Sequence, residues 1–293
     1  MAEKKQQGKG RWELMGKKRH TALPLLVTAL LLAAAACAGT DAEPTKVPTE
    51  ALTKTPTKTP TEAPTPTQAE EPTSPPETPF AAVSEAEPGD TVQFGSYEQD
   101  NDAGNGAEAI EWLVLDKQDG KLLLLSKYVL DCKEYHAEQE EVTWETCTLR
   151  EWLNGTFYKT AFNQKEQEYI AAVTVKNEDN YGTEGGNDTE DKVFLLSVRE
   201  ATLYFDPVPA VGDPARCAKV TEYAKANGAF VYSEEDGASG GYEGNGVWWL
   251  RTPGDNGSLA VYTGYPGVVY RGGRAVGYTD GGVRPAFWFN PEE

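Results

Sequence analysis

Histidine and cysteine are scarce in this chain, and their scarcity argues against several kinds of active site. Of 293 residues, two are histidine and four are cysteine. After residue 36 the single histidine is His136, so a Ser-His-Asp or Cys-His arrangement has one candidate base. No C-x-x-C spacing occurs, which disfavours zinc. Buried free thiols are the favoured interpretation of Cys132, Cys147 and Cys217, and a Cys132–Cys147 disulfide is the alternative.

Basic residues are also few once the first segment is set aside. Residues 1–36 hold seven of the 27 Lys and Arg residues and two of the 46 Asp and Glu residues, so the remainder carries a net charge of about −24. A body this acidic repels phosphate backbones, which argues against nucleic acid as a partner. Solubility at a crowded cell surface is the simplest reason for such a charge.

The longest apolar run, residues 23–36, is too short to span a bilayer comfortably and follows the basic residues Lys17, Lys18 and Arg19. This pattern predicts a signal peptide over residues 1–36. The run ends in alanines followed by Cys37, which resembles a bacterial lipobox. The resemblance implies acylation of the Cys37 thiol and a lipid anchor at the extracellular face of the cell membrane. An ordinary signal peptide cut nearby is the alternative.

Residues 37–85 are predicted to be the lipidated cysteine and a disordered linker. The stretch is dominated by Thr, Pro, Glu, Lys and Ala. With so few apolar groups it cannot bury enough surface to offset its ordering entropy. Proline-rich chains extend by about 3 Å per residue, so this linker has a reach on the order of 100 Å.

Residues 86–293 are predicted to form one α+β domain, because strands flank a helical middle instead of alternating with helices. An Asp-Gly turn at 119–120 joins two predicted strands in a hairpin. In the middle, Thr146 or Thr148, Asn163 and Ser197 are the predicted helix caps. A further helix is predicted over residues 214–226. The predicted strands are residues 91–94, 110–116, 121–126, 192–196, 247–251, 259–262, 268–270 and 283–289.

The order of several segments carries a resemblance to a known family. These segments are GDTVQFGSYEQ, IEWLVLD, LLLLSKYVLD, TWETCTLREWLN, VFLLS, WWLRTPG and GVRPAFWFN. Over residues 86–292 the chain resembles an uncharacterised domain family common in Firmicutes cell-surface lipoproteins. Residues 246–290 are also similar to the C-type-lectin-like fold of formylglycine-generating enzymes and retroelement variable proteins. That second resemblance implies that the first and last strands, residues 91–94 and 283–289, pair with each other.

The likeness to variable proteins also implies a buried frame and a displayed surface between its two halves. The implied frame is Trp248, Trp249, Leu250, Arg251, Gly282, Val283, Arg284 and Trp288. The implied ligand-binding positions are Asp255, Asn256, Tyr262, Tyr265, Tyr270, Arg271, Arg274 and Tyr278. Formylglycine-generating activity does not carry over, because no cysteine follows Cys217.

Cofactor and function follow from these residues only as expectations. The oxygen-rich residues 177–180 and 187–191 make calcium possible, and no other cofactor or metal is expected. Tyr and Arg are favoured at binding hot spots. We therefore expect an extracellular, membrane-anchored lipoprotein with a non-catalytic domain that binds a protein or a glycan. A structural envelope module without a ligand is one alternative. A cell-wall hydrolase using two carboxylates is another, and the abundance of acidic residues singles out no pair.

Overall fold

The computed structural model describes residues 80–205, 212–233, 235 and 241–292. The predicted signal peptide at residues 1–36, the predicted lipidation site Cys37 and the predicted linker up to residue 79 lie outside these described residues. No helix in the described ranges is long and apolar enough to cross a membrane.

The described residues form short helices and a larger number of strands, which confirms the α+β class. The strands are β1 Thr91–Tyr97, β2 Glu108–Gln118, β3 Lys121–Ser126, β4 Asp131–Cys132, β5 Ile170–Ala171, β6 Val173–Val175, β7 Thr189–Asp191, β8 Trp248–Pro253, β9 Leu259–Thr263, β10 Val269–Ala275, β11 Gly282–Val283 and β12 Ala286–Phe289. The helices are α1 Ala81–Ser84, α2 Thr148–Trp152, α3 Tyr158–Ala161, α4 Gln164–Glu168, α5 Val198–Leu203 and α6 Glu222–Ala226, with a π-helical turn, Leu153–Phe157, between α2 and α3.

One five-stranded sheet has the order β1-β2-β3-β12-β5. Asp119 and Gly120 join β2 to β3 with φ values of 50° and 77°. Two successive positive φ angles are what a two-residue hairpin turn needs, so the predicted turn is confirmed. β3 lies at the centre of this sheet, and the leucines at residues 122–125 are all buried.

The predicted pairing of the first and last strands is wrong. β1 pairs with β2, whereas β12 lies between β3 and β5. The physical reason is that the leucine-rich β3 is buried on both faces and is covered on both edges, by β2 through the hairpin and by the apolar β12. The two terminal strands meet through side chains instead, since the Phe94 ring lies 5.6 Å from Phe287 and 5.3 Å from Phe289.

A second five-stranded sheet has the order β10-β9-β8-β11-β4. From β11 the chain passes through Arg284 and Pro285 into β12 of the first sheet, so one segment joins the two sheets. Arg284 is fully buried, lies 5.0 Å from the Trp248 ring and donates to the Ser126 carbonyl at 2.8 Å. Burial lowers the pKa of Arg284 to about 9. The predicted frame is buried except Trp288, which is half-buried.

Two predicted helix caps are confirmed and a third is wrong. The Asn163 and Ser197 side chains each form a capping box, with Glu166 and Glu200 respectively. At α2 the cap is Cys147 and not Thr146 or Thr148, because the Cys147 sulfur accepts from the Arg150 N–H. The Thr148 hydroxyl instead accepts from the Ala137 N–H at 3.0 Å, which leaves it no role at the helix start.

Two predicted elements differ in length or place. The helix predicted over residues 214–226 is α6 alone, capped by Thr221. Just before it, the Val129 N–H donates to the Lys219 carbonyl and the Thr221 N–H donates to the Val129 carbonyl. These bonds hold the chain extended and prevent an earlier helical turn. Within the predicted strand 192–196, Phe194 alone bridges Ala286, and the strand lies earlier, at β7.

The three cysteines of the described domain are free thiols, as favoured from the sequence. Cys132 and Cys147 are buried, and Cys217 is half-buried. Burial raises the pKa of Cys132 to about 12, and Asp131 adds to this effect. Burial likewise raises the pKa of Cys147 to about 12, against the opposing Arg150 N–H bond. These two thiols are therefore protonated and unreactive at neutral pH.

Candidate ligand-binding site

A row of three aromatic side chains crosses the second sheet. Trp249 on β8 lies opposite Tyr262 on β9, and Tyr262 lies opposite Tyr270 on β10. Residues opposite each other in antiparallel strands point to the same face, so the three rings line up. The Tyr262 and Tyr270 rings stack at 4.8 Å with 8° between their planes. The row runs from the fully buried Trp249 to Tyr270, which is 42% exposed.

Two glycines leave room for this aromatic row. A Cβ atom on Gly281 would lie 2.0 Å from Trp249 Nε1, and a Cβ on Gly264 would lie 2.5 Å from the Tyr270 ring. Both distances are shorter than van der Waals contact. Glycine at 281 therefore leaves space for the buried Trp249, whereas a side chain at 264 would displace the exposed Tyr270 ring from its position on Tyr262.

Arg274 lies across the aromatic row. Its guanidinium is 5.4 Å from the Tyr262 ring, 5.5 Å from the Trp249 ring and 4.3 Å from the Tyr278 ring. Arg274 Nη2 also donates to Asp280 Oδ1 in an ion pair. The register of β10 shifts between Tyr270 and Arg274, because this bulge holds two more residues than the facing part of β9. The bulge places Arg274 opposite Ala260, two positions from Tyr262 on β9.

The first cavity beside the row, here named the Arg274 cavity, has a volume of about 380 Å³. That volume lies in the range of small-molecule sites. Its wall at Tyr265 is rigid, since the Tyr265 ring stacks on Tyr232 at 4.2 Å and 12°. The described residues that line it are Phe230, Val247, Tyr262, Gly264, Tyr265, Tyr270, Arg274, Tyr278 and Asp280.

A second cavity, here named the Arg271 cavity, has a volume of about 480 Å³ and lies against the same stacked pair. Tyr262 and Tyr270 line both cavities. The described residues that line the Arg271 cavity are Tyr181, Tyr262, Val268, Val269, Tyr270, Arg271, Gly272 and Gly273. The stacked tyrosines are therefore shared by two neighbouring cavities.

Arg271 is positioned by a buried asparagine. Arg271 Nη2 donates to Asn180 Oδ1 at 3.2 Å, and Asn180 Nδ2 donates to the carbonyls of Pro253 at 2.8 Å and Arg271 at 3.1 Å. The guanidinium lies 4.8 Å from the ring of Tyr181, which is 70% exposed. Asn180 is 2% exposed and uses both polar atoms, so the Arg271 side chain is held in one place.

Six of the eight predicted ligand-binding residues line these cavities, and two do not. Asp255 and Asn256 lie in the turn between β8 and β9. The Asp255 N–H donates to the Gly272 carbonyl at 3.0 Å, and Asn256 Oδ1 accepts from the Ser258 N–H and hydroxyl. These bonds form the turn, so the structure places the two residues beside the site and not in it. The six in the cavities are Tyr262, Tyr265, Tyr270, Arg271, Arg274 and Tyr278.

Sequence reasoning missed Tyr181, Phe230 and Asp280. Asp280 has a local signal that could have found it, because it follows Arg274 by six residues in the same turn region. Tyr181 and Phe230 reach the site from distant parts of the chain. Their approach depends on long-range contacts such as Asn180 to Arg271, which no local pattern indicates.

The Tyr262 hydroxyl has a shifted pKa. Burial raises the pKa of Tyr262 above its usual value, the neighbouring Tyr270 adds to the rise, and the cation of Arg274 opposes it. A tyrosine hydroxyl is protonated at neutral pH even at its ordinary pKa of about 10, and the rise reinforces this. Tyr262 can therefore donate a hydrogen bond to a ligand at the mouth of either cavity.

Other residues flagged from the sequence serve internal contacts. His136 has a side chain only 12% exposed, and its Nδ1 accepts from the Thr148 N–H at 3.2 Å. In the oxygen-rich segments, Asp191 is paired with Arg150 at 2.6 Å and accepts from Trp144 Nε1 at 2.8 Å. These contacts use the Asp191 carboxylate to stabilise the fold.

The comparison with protein families gives one match. A family model described as a domain of unknown function (DUF6273) matches residues 119–291. The chain belongs to this family. The match begins at the β2–β3 turn and covers the aromatic row and both cavities. No curated protein and no solved structure matches the chain.

Proposed function

We propose that this protein is a lipid-anchored, extracellular lipoprotein whose folded domain binds a glycan at the aromatic row without catalysis. The observation that carries the proposal is the stacked Tyr262–Tyr270 pair, shared by two cavities and exposed at its outer end. The negative face of an aromatic ring attracts the weakly positive C–H groups of a sugar ring. The hydroxyls of the same tyrosines can bond the sugar hydroxyls.

The shape of the site favours a glycan over a protein partner. The exposed rings border concave cavities of small-molecule size, whereas protein interfaces bury broader and flatter areas. The rings are also fixed before binding, Tyr262 by stacking and Tyr265 by its contact with Tyr232. A fixed site loses little entropy when it binds a flexible sugar chain.

A C-type-lectin-like relationship is part of this proposal. Its support is the buried frame at β8 and β11 that holds the displayed rings between them. The pairing of the first and last strands, which that relationship implied, is not part of it.

We expect Tyr270→Ala to weaken glycan binding by about tenfold or more, since it removes the exposed ring and one wall of both cavities. Binding of the full-length protein to a glycan array, followed by titration calorimetry on the best ligand, measures this. Leu203→Ala is the control, because Leu203 is 65% exposed and lines neither cavity. Binding that is unchanged in Tyr270→Ala contradicts the proposal. Release of soluble fragments from peptidoglycan supports the hydrolase alternative instead.

The anchor has a separate test. We expect the mature protein to begin at Cys37 with an acylated N-terminus, because the lipobox resemblance places cleavage there. Mass spectrometry of the N-terminal peptide from cell membranes measures it. A free amine at Asp41 or later rules out the lipid anchor and leaves an ordinary signal peptide.

A further inference from the structure

The two arginines beside the aromatic row differ in charge balance. Arg274 forms an ion pair with Asp280. Among the described residues Arg271 has no carboxylate within ion-pair distance, and its one side-chain hydrogen bond goes to the neutral amide of Asn180. Arg274 is therefore paired within its cavity, whereas Arg271 has no ion-pair partner in its own. The acidic group beside the Arg271 cavity is Asp255, since a Cβ on the lining residue Gly272 would lie 3.2 Å from Asp255 Oδ2.

Arg271 also has unused hydrogen-bonding capacity. Its Nε is buried without a partner, and no described residue accepts from its Nη1. An arginine fork matches a carboxylate, a sulfate or a phosphate in geometry as well as in charge. The buried Nε is out of reach of a ligand, so Nη1 is the free donor of this fixed guanidinium that can serve an anionic ligand group.

The location of this charge is notable in so acidic a chain. With a net charge of about −24 after residue 36, carboxylates to neutralise an arginine are plentiful. At physiological ionic strength, exposed charges farther than about 8 Å are largely screened. Carboxylates beyond that distance therefore have little effect on an anion in the Arg271 cavity, whereas Arg271 and the nearby Asp255 act on it directly.

We propose that the glycan is acidic and at least two sugar units long, with its anionic group on Arg271 and an adjoining uncharged sugar in the Arg274 cavity. This inference rests on the proposed glycan-binding function. Two sugar units are needed because the two cavities are neighbours that share Tyr262 and Tyr270 as lining residues. Asn180 is a positioning residue in this arrangement, since it bonds Arg271 and lines neither cavity.

The test uses the full-length protein and a matched set of sugars. The first probe is a tetrasaccharide of alternating N-acetylhexosamine and hexuronic acid. The second is the same tetrasaccharide with its carboxylates reduced to primary alcohols, and the third is the reduced form bearing a sulfate ester. Wild-type protein should bind the uronate at least about tenfold more tightly than the reduced form. Tighter binding of the sulfate ester than of the uronate also supports an anionic ligand and identifies an ester anion as its source.

The variants separate charge recognition from sugar binding. Arg271→Gln should abolish the preference for the anionic probes, so that the uronate and the reduced tetrasaccharide bind with affinities within about twofold of each other. Arg271→Lys should keep only part of the preference, because the fork is lost. Arg199→Gln is the control for a generic charge effect, since the Arg199 side chain is 71% exposed and pairs with Glu178 outside both cavities.

Two outcomes overturn the inference and are distinguishable. Equal binding of uronate and reduced sugar by wild type, or an unchanged preference in Arg271→Gln, overturns the acidic-ligand inference and leaves glycan binding standing. No binding of any tetrasaccharide at millimolar concentration overturns both the inference and the proposed function for this class of sugar.

Discussion

We expect Gly281→Ala to destabilise the domain by about 3 kcal/mol or more, through overpacking and a lost buried hydrogen bond. An alanine Cβ would lie 2.0 Å from Trp249 Nε1 and 2.3 Å from Trp249 Cε2. Trp249 cannot move away freely, because it is fully buried and its Nε1 donates to the Lys133 carbonyl at 2.8 Å. The Lys133 N–H in turn donates to the Gly281 carbonyl at 2.9 Å. The substitution therefore strains the hydrogen bonds that link Gly281, Lys133 and Trp249.

The melting temperature should fall by about 6 to 12 °C in a domain of this size. Thermal unfolding followed by circular dichroism measures this change. Gly155→Ala is the matched control, because a Cβ there meets nothing within 4 Å and Gly155 lies in the helical turn after α2. It should be neutral or stabilising by up to about 1 kcal/mol.

A double-mutant cycle assigns the loss to Trp249. Trp249→Phe removes the indole nitrogen that the new methyl group meets. The double variant should therefore lose less stability than the sum of the two single variants. Two results would show that residue 281 does not limit the position of Trp249. One is strict additivity of the two changes in the free energy of unfolding, and the other is a Gly281→Ala protein with the wild-type melting temperature.

Local chemistry explains which parts of this fold could be predicted. The Asp119-Gly120 turn and the capping boxes at Asn163 and Ser197 depend on residues within a few positions of each other. The side chains and φ preferences of these residues indicate the turn and the helix starts directly. The burial of Trp248 follows equally simply, from the transfer of a large ring out of water.

Contacts between distant residues account for what could not be predicted. β12 pairs between β3 and β5, although several other strands are equally apolar in sequence and could have been expected there. The bulge that separates Tyr270 from Arg274 in register is also a property of the assembled sheet. Asn180 and Arg271 are 91 positions apart, and their contact positions the arginine of one cavity. The site could thus be located to one stretch of sequence, whereas its two-cavity form could not.

We expect Arg251→Met to destabilise the domain by about 3–5 kcal/mol, the range for breaking a buried ion pair from one side. Arg251 is 4% exposed and holds Glu200 with both Nη atoms. Nη1 also donates to the Leu195 carbonyl at 2.6 Å, and Nη2 to the Lys176 carbonyl at 3.1 Å. Methionine fills similar space but removes the Arg251 donors from two carbonyls and from the Glu200 carboxylate, which keeps only the Ser197 N–H.

Two further variants show that geometry matters here as well as charge. Arg251→Lys should lower the free energy of unfolding by about 1–3 kcal/mol. A lysine ammonium lacks the planar fork with which the Arg251 guanidinium bonds Glu200 and both carbonyls. Glu200→Gln should lose less than Arg251→Met, since a glutamine oxygen can still accept the Ser197 N–H that now bonds Glu200 at 2.7 Å. Urea unfolding curves of the three variants give the order of their free energies of unfolding. An Arg251→Met protein within about 0.5 kcal/mol of wild type would show that hydrophobic packing alone holds α5 to β8.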